Sequence, residues 1–322
     1  MKFLIADSET PDERARRRDS VGKSAGETYI ATLQQLEPGA QCTRITPADA
    51  DAHVYTSDEI AAFDAVFLSG SPLHVYDETP ETLRQLAFMR AVFASRRPSF
   101  GSCAGLQIAV AAAGGTVRKM TERTEAGIAR RITPTEAGHD HPLLAGRPAA
   151  WDAPSIHGDE VETLPEGATL LATSSAVRVQ AVEIRHEGGL FWGVQYHPEL
   201  ALGEIAAALR RQSDGLIEEG LADTPDTVEA QAALFGALHR DPQNRALRWR
   251  LGVDTELADE DHRRTELRNF LALARASVAI GHRATKSDAN PAVPLSVDEH
   301  DALAQVSAAT PCALPSPGRD PG

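Results

Sequence analysis

Three short runs in the first third of the chain carry almost no polar side chains: KFLIAD (Lys2–Asp7), DAVFLSG (Asp64–Gly70) and PSFGSC (Pro98–Cys103). A strand with one face in water alternates polar and apolar residues, so runs that stay apolar at successive positions must be covered on both faces. Between them lie longer segments with helical spacing. AGETYIATLQQLEPG closes at Pro38-Gly39, and SDEIAAF is a short helix capped by Ser57 or Asp58. PETLRQLAFMRAVFASR spaces Leu83, Leu86, Ala87, Met89, Arg90 and Phe93 over several turns behind Pro80. CTRIT supplies one more strand. Strand and helix in alternation predict an α/β fold, a mostly parallel open sheet with helices on both faces.

Beyond Gly115 the pattern changes. GTVRKM, GIARRIT, ATLLATS, VQAVEIR and GLFWGVQYH are β-like runs parted by turn residues, which predicts antiparallel strands added at the sheet edge. After His197 the chain turns helical. The segment after Gly281 is rich in Ala, Pro, Ser and Asp without periodicity and reads as a disordered tail.

The run PSFGSCAGLQ places Cys103 between Gly101 and Gly105, where a strand passes into a helix. A turn this tight brings together the residues two before and two after its apex, which is a reason for glycine at both. The cysteine would stand exposed at a helix N-terminus, whose free N–H groups and dipole favour a thiolate. The Ala104 N–H would point to where an oxyanion forms. GVQYHPEL puts His197 and Glu199 two residues apart after an apolar strand, so both face one side, with Pro198 stiffening the link. The pair suits a base oriented by a carboxylate. Gly70, at the carboxyl end of the strand DAVFLSG, lies where loops of a parallel sheet converge on a ligand crevice, and its N–H is a second candidate oxyanion donor.

In this order and spacing, these elements resemble the class I (triad) glutamine amidotransferases, most closely the glutaminase domain of GMP synthase and its stand-alone relatives. IHGDEVETLPEGATLLATS (Ile156–Ser174) is similar to the His-Gly-Asp segment of that subgroup, and ELRNFL (Glu266–Leu271) to its closing helix. The resemblance implies a flavodoxin-like amidotransferase domain over residues 1–201, a helical insertion over 202–262, a closing helix over 263–281 and the tail over 282–322. It implies Cys103 as nucleophile, His197 as base and acid, Glu199 as orienting carboxylate, Gly70 and Ala104 as oxyanion-hole positions and Gln107 as a contact to the substrate. The implied reaction is hydrolysis of L-glutamine to glutamate and ammonia through a γ-glutamyl thioester.

Three departures bear on that reading. The usual Gly-Gly-Pro is here Gly70-Ser71-Pro72, a variant that also resembles γ-glutamyl peptide hydrolases. Residues 202–262 exceed an ordinary loop and carry apolar stripes (Leu234, Leu238, Leu247, Leu251) that need a cover, either the domain's own flank or a partner. No SGGVDS-type phosphate loop is present, so an ammonia acceptor would be a separate synthase subunit. A γ-glutamyl peptide hydrolase is the alternative, and a non-catalytic regulatory relative a third.

The net charge of −14 argues against nucleic-acid binding. The basic run Arg14–Arg18 reads as a solvated loop or helix face. Three scattered cysteines (Cys42, Cys103, Cys312) make no disulfide framework, and no run is long enough to span a membrane, so a cytoplasmic protein is expected. SVGKSAG (Ser20–Gly26) has Arg17 where a phosphate loop needs its first glycine and reads as a helix-entry loop. GHDHP, with His139 and His141, reads as a solvated turn rather than a metal site, and RALRWRL (Arg245–Leu251) as a helix face with its Trp packed and its arginines in water. No cofactor and no metal is expected.

Overall fold

The computed structural model describes residues 1–121 and 124–288. Strands are β1 (Lys2–Ala6), β2 (Gln41–Ile45), β3 (Ala65–Leu68), β4 (Ser99–Ser102), β5 (Thr116–Lys119), β6 (Glu125–Pro134), β7 (Trp151–His157), β8 (Asp159–Thr163), β9 (Ala168–Thr173), β10 (Ala181–His186) and β11 (Gly189–Val194). Helices are α1 (Pro11–Val21), α2 (Ala25–Leu36), α3 (Ser57–Ile60), α4 (Pro80–Ala94), α5 (Ala104–Ala112), α6 (Glu136–His139), α7 (Leu202–Arg211), α8 (Ser213–Glu218), α9 (Pro225–Arg240), α10 (Arg245–Leu251), α11 (Thr255–Ala258), α12 (Glu260–Arg263) and α13 (Thr265–Asp288). Met1–Ala279 packs as one compact unit.

The main sheet runs β2-β1-β3-β4-β11-β10-β9-β6-β7. Its first five strands are parallel neighbours and the remainder pair antiparallel at one edge. β5 and β8 form a separate antiparallel ribbon. Every residue of β3 and β4 is buried, as their unbroken apolar runs require. Alternation sends Phe3, Ile5 and Phe67 to one face, where Phe67 meets Phe3 and Phe270 edge-on at 5.3 and 5.2 Å. Leu4, Val66 and Leu68 face the other way, against Leu86, Met89 and Phe93 of α4 and Leu106 of α5.

In α4 the residues Leu83, Ala87 and Arg90 form the solvent stripe, and Leu83 is 50 % exposed. The N-cap of α3 is Thr56, one residue ahead of the expected Ser57 or Asp58. Ser24 caps α2 within a capping box, so SVGKSAG is the entry to a helix.

The helices after His197 build a third core. Ile205, Leu209, Val228, Phe235, Leu238 and Leu251 close against Ile128 of β6, with Leu234 and Leu247 partly covered at its margin. The chain's own flank thus covers the stripes. Trp249, expected to pack, is 84 % exposed, because Leu247 and Leu251 already occupy the inner face of the two-turn α10. α13 runs to Asp288, and the rest of the expected tail, 289–322 with Cys312, lies outside the described residues.

The basic run is a solvated face only in part, with Ala15 and Arg16 exposed and Arg18 half-buried. α1 buries Arg14 and Arg17: Arg14 pairs with Asp49 at 2.6 Å, and Arg17 pairs with Glu204 at 3.2 Å, beyond the reach of local pattern reading. In GHDHP, His139 is exposed but His141 is half-buried, 3.0 Å from Glu183 and edge-on to Trp192. No cluster of three or more His, Cys, Asp or Glu with metal-binding geometry occurs among the described residues. No described helix is long and apolar enough to cross a membrane.

Candidate active site

β4 ends at Ser102 and α5 starts at Ala104, so Cys103 alone makes the turn, with φ 54° and ψ −113°. A non-glycine residue at positive φ is strained, and it holds here because both sides fix it. Its N–H donates to Val194 O of β11 at 2.9 Å, and its carbonyl accepts from Gln107 N at 3.1 Å. The flanking glycines are required by contact. A Cβ on Gly101 would stand 2.8 Å from the Gly105 carbonyl carbon, and one on Gly105 2.5 Å from Leu68 O of β3.

β11 carries the chain to the other half of the site. The His197 N–H donates to Pro154 O at 2.8 Å, and its Nδ1 lies 2.7 Å from Glu199 Oε1. Since Glu199 is a carboxylate acceptor, Nδ1 carries the proton and Nε2 is the nitrogen left for chemistry. Burial alone would depress the imidazolium. The Glu199 carboxylate and the Cys103 sulfur outweigh it, and the His197 pKa is pushed up to about 10. Gly70 closes the group: a Cβ there would lie 2.9 Å from His197 Cε1 and 3.5 Å from Cys103 Cβ. Five of the residues singled out in the sequence (Cys103, Ala104, His197, Glu199, Gly70) therefore converge at the carboxyl ends of β3 and β4, where open α/β sheets place ligands.

Gln107 also reaches this place. Its Nε2 donates to Asp159 O at 3.0 Å and Gln195 Oε1 at 3.2 Å, so its amide pins the His157–Asp159 segment to α5. His157 adds to the hold, with Nδ1 2.8 Å from the same Asp159 carbonyl and Nε2 3.0 Å from Glu125. The Asp159 carboxylate tethers the loop after Gly70, with His74 Nδ1 at 2.6 Å and Tyr76 donating at 3.0 Å.

Two residues escape local sequence reading. Ser102 Oγ donates to Glu199 Oε1 at 3.0 Å, and Tyr29 OH lies 2.6 Å from Ser102 Oγ. Ser102 has one hydroxyl proton and gives it to the carboxylate, so Tyr29 is the donor between the two. Burial, reinforced by the Glu199 charge, holds the phenol well above its ordinary range and keeps it a donor.

Cys103, His197 and Glu199 line a cavity of about 390 Å³, within the range of small-molecule sites. Gln107, His74, His157 and Asp159 bound one part of it, and Glu9, Arg17, Ala208 and Arg211 line another. A larger groove of about 910 Å³ runs beside β6 between Ile128, Leu209 and Val228, and none of Cys103, His197 or Glu199 lines it. The smaller cavity is the one that gathers the thiol, the imidazole and the strained backbone, which makes it the candidate site.

Residues 22–213 match the model of the family described as glutamine amidotransferase class-I. The chain is 36 % identical over 235 residues to a γ-glutamyl-L-1-hydroxyisopropylamide hydrolase of a Pseudomonas species, covering 72 % of this chain and 79 % of that one. It is 33 % identical over 159 residues to a glutamine-hydrolysing GMP synthase of Leifsonia xyli, covering 49 % of this chain but only 30 % of that one. Among solved structures, a glutamine amidotransferase of Thermotoga maritima superposes with a TM-score of 0.59 at 16 % identity, over 85 % of this chain and 97 % of that one. One from Methylobacillus flagellatus gives 0.53 at 19 % identity, over 84 % and 94 %. Both support the fold alone.

Proposed function

Because the chain belongs to the class I glutamine amidotransferase family, we propose that it hydrolyses the amide bond of a small γ-glutamyl amide through Cys103, His197 and Glu199. The observation that carries the chemistry is the strained Cys103 turn set beside the buried His197 ring, which Glu199 holds at 2.7 Å. The Cys103 thiolate adds to the γ-carbonyl carbon, and the negative oxygen is received by the N–H groups of Ala104 and Gly70. The C–N bond breaks as His197 passes its proton to the departing nitrogen, leaving a γ-glutamyl thioester. Water then adds to the thioester carbonyl while His197 takes its proton, and glutamate leaves with the thiolate restored.

Two points favour an amine larger than ammonia as leaving group. The cavity continues to Ala208 and Arg211 of α7, which leaves room for a substituent on the nitrogen. The match to the γ-glutamyl amide hydrolase spans most of both chains. The second reading, release of ammonia from glutamine for a separate synthase, is favoured by the similarity to GMP synthases over about half of this chain.

Glutamate release by purified protein, measured in parallel on L-glutamine and γ-glutamyl ethylamide, tests the two. A higher kcat/KM for the ethylamide supports the first reading. Preference for glutamine supports the second, and no release from either rules out both.

A further inference from the structure

Three elements bring arginine and glutamate to one side of the cavity. Glu9 follows β1, Arg17 sits on α1 and Arg211 ends α7, and all three line the space that holds Cys103. His197 protonates the departing nitrogen in the proposed reaction, so the leaving group must extend along the side of the cavity that His197 borders. The chain continues from His197 through Glu199 and Leu200, both of which line the cavity, directly into α7, which supplies Arg211. The His157–Asp159 segment and Gln107 are left for the glutamyl half.

The charges on the α1–α7 side do not cancel. Arg17 is matched by Glu204 at 3.2 Å, yet its Nε is buried with no partner, although the residue is only 8 % exposed. A buried guanidinium N–H without an acceptor costs free energy until something supplies one. Arg211 donates to Ser20 Oγ at 2.6 Å and forms no ion pair among the described residues. The acid that lines the cavity on this side is Glu9, and burial raises its pKa to about 7 despite its bond from the Ala25 N–H, so much of its charge is absent near neutrality.

Resting on the hydrolytic reading above, we infer that Arg211 and Arg17 form a leaving-group subsite for a carboxylate, so that the preferred substrates are γ-glutamyl amino acids or short γ-glutamyl peptides. In such a compound a carboxylate follows the scissile nitrogen by a single carbon, within the same cavity. A neutral amide substituent of equal size would bring no counter-charge to Arg211 and no acceptor to the side of the cavity where Arg17 Nε lacks one.

The matched pair γ-glutamylglycine and γ-glutamylglycinamide isolates that charge, with L-glutamine as the reference. The full chain should turn over γ-glutamylglycine with kcat/KM about tenfold or more above the glycinamide, the scale of a charge-assisted hydrogen bond. Arg211→Gln should bring the ratio close to one, and Arg211→Lys should restore part of it. A wild-type ratio near one overturns the proposal without needing any variant. Equal loss on all three substrates in Arg211→Gln also overturns it, by assigning that arginine to the glutamyl half. No turnover of any of the three overturns the hydrolytic reading itself, and this subsite with it.

Discussion

The hydroxyl of Ser102, the residue just before the turn cysteine, donates to Glu199 Oε1 across 3.0 Å. The strand that leads into Cys103 thus holds the carboxylate that holds the histidine. Glu199 is 3 % exposed and its other oxygen, Oε2, has no partner, so this bond and the one from His197 Nδ1 are its two side-chain restraints. A hydrogen bond to a buried charge contributes about 1.5–3 kcal/mol. Ser102→Ala should lower kcat roughly tenfold with KM little changed, since the loss falls on the orientation of His197 and not on substrate contacts. Tyr29→Phe leaves the Ser102 donor in place and should cost less. Steady-state kinetics of both variants decide this, and wild-type kcat in Ser102→Ala would remove the serine from the argument.

A second prediction separates the turn's chemistry from its shape. Cys103→Ala removes the sulfur but keeps the backbone, so the protein should fold and release no glutamate. An electrophilic glutamine analogue should label Cys103 and spare Cys42, a partly exposed thiol whose pKa burial pushes up. Gly101→Ala does the opposite. Its Cβ would press on the Gly105 backbone at 2.8 Å, and overpacking of this kind costs about 1–3 kcal/mol or more. Its midpoint in a urea titration should drop while Cys103→Ala stays near wild type. Equal labelling of both thiols, or a stable Gly101→Ala, contradicts the assignment.

The sequence exposes four of the five parallel strands and the turn because their causes are local, but GLFWGVQYH, expected as an antiparallel edge strand, is β11, which lies parallel beside β4. β3 and β4 are unbroken apolar runs, and Gly101 and Gly105 mark a turn that tolerates nothing larger. β7 and β8 are hidden because WDAPSIH and DEVET carry Asp152, Pro154, Asp159 and Glu160, whose places are set by pairing with β6 in the main sheet and with β5 in the separate ribbon. Arg14 and Arg17 look solvated because their partners, Asp49 and Glu204, are distant in sequence. Tyr29 carries no local sign of its function. It sits on α2 like any core aromatic, and only the fold delivers its hydroxyl to Ser102.

The raised pKa of His197 makes a third prediction about pH. A group whose pKa is higher in the folded than in the unfolded chain contributes stability that is fully present below the unfolded value, near 6.5, and lost as pH rises through the folded value, about 10. Wild-type protein should therefore exceed His197→Gln in Tm near pH 6, and the gap should narrow steadily towards pH 10. Glu199→Gln removes the carboxylate that raises His197, so it should shift the narrowing to lower pH. The same variant should lower kcat less than His197→Ala, whose loss of proton transfer is worth about 10²–10⁴-fold. A Tm gap that does not change with pH would mean that His197 is not held as an imidazolium in the folded protein.

The last prediction concerns how α13 supports the site from behind. Glu266, at the start of that helix, is fully buried and takes two guanidinium bonds from Arg147, both at 2.7 Å. It also accepts from Tyr196 OH at 2.8 Å, and Tyr196 directly precedes His197. Arg147 lies over the Trp151 ring at 5.4 Å and reaches Glu256 at 2.9 Å, so a single guanidinium ties β7, α11 and α13 together. Replacing both members of a buried pair with apolar groups is often tolerated, but removing one leaves the other charge stranded, at a cost of about 3–5 kcal/mol. Glu266→Gln leaves Arg147 with Glu256 alone as its counter-charge and loosens the Tyr196 hydroxyl together. It should lower the urea midpoint substantially, and under conditions where it remains folded it should also lower kcat, because the backbone that carries His197 has lost an anchor. Arg147→Met paired with Glu266→Leu should recover much of the stability. Recovery of kcat in that double variant would show that Tyr196 positions His197 without its hydroxyl bond, whereas a stable protein with low kcat would trace the loss to that bond.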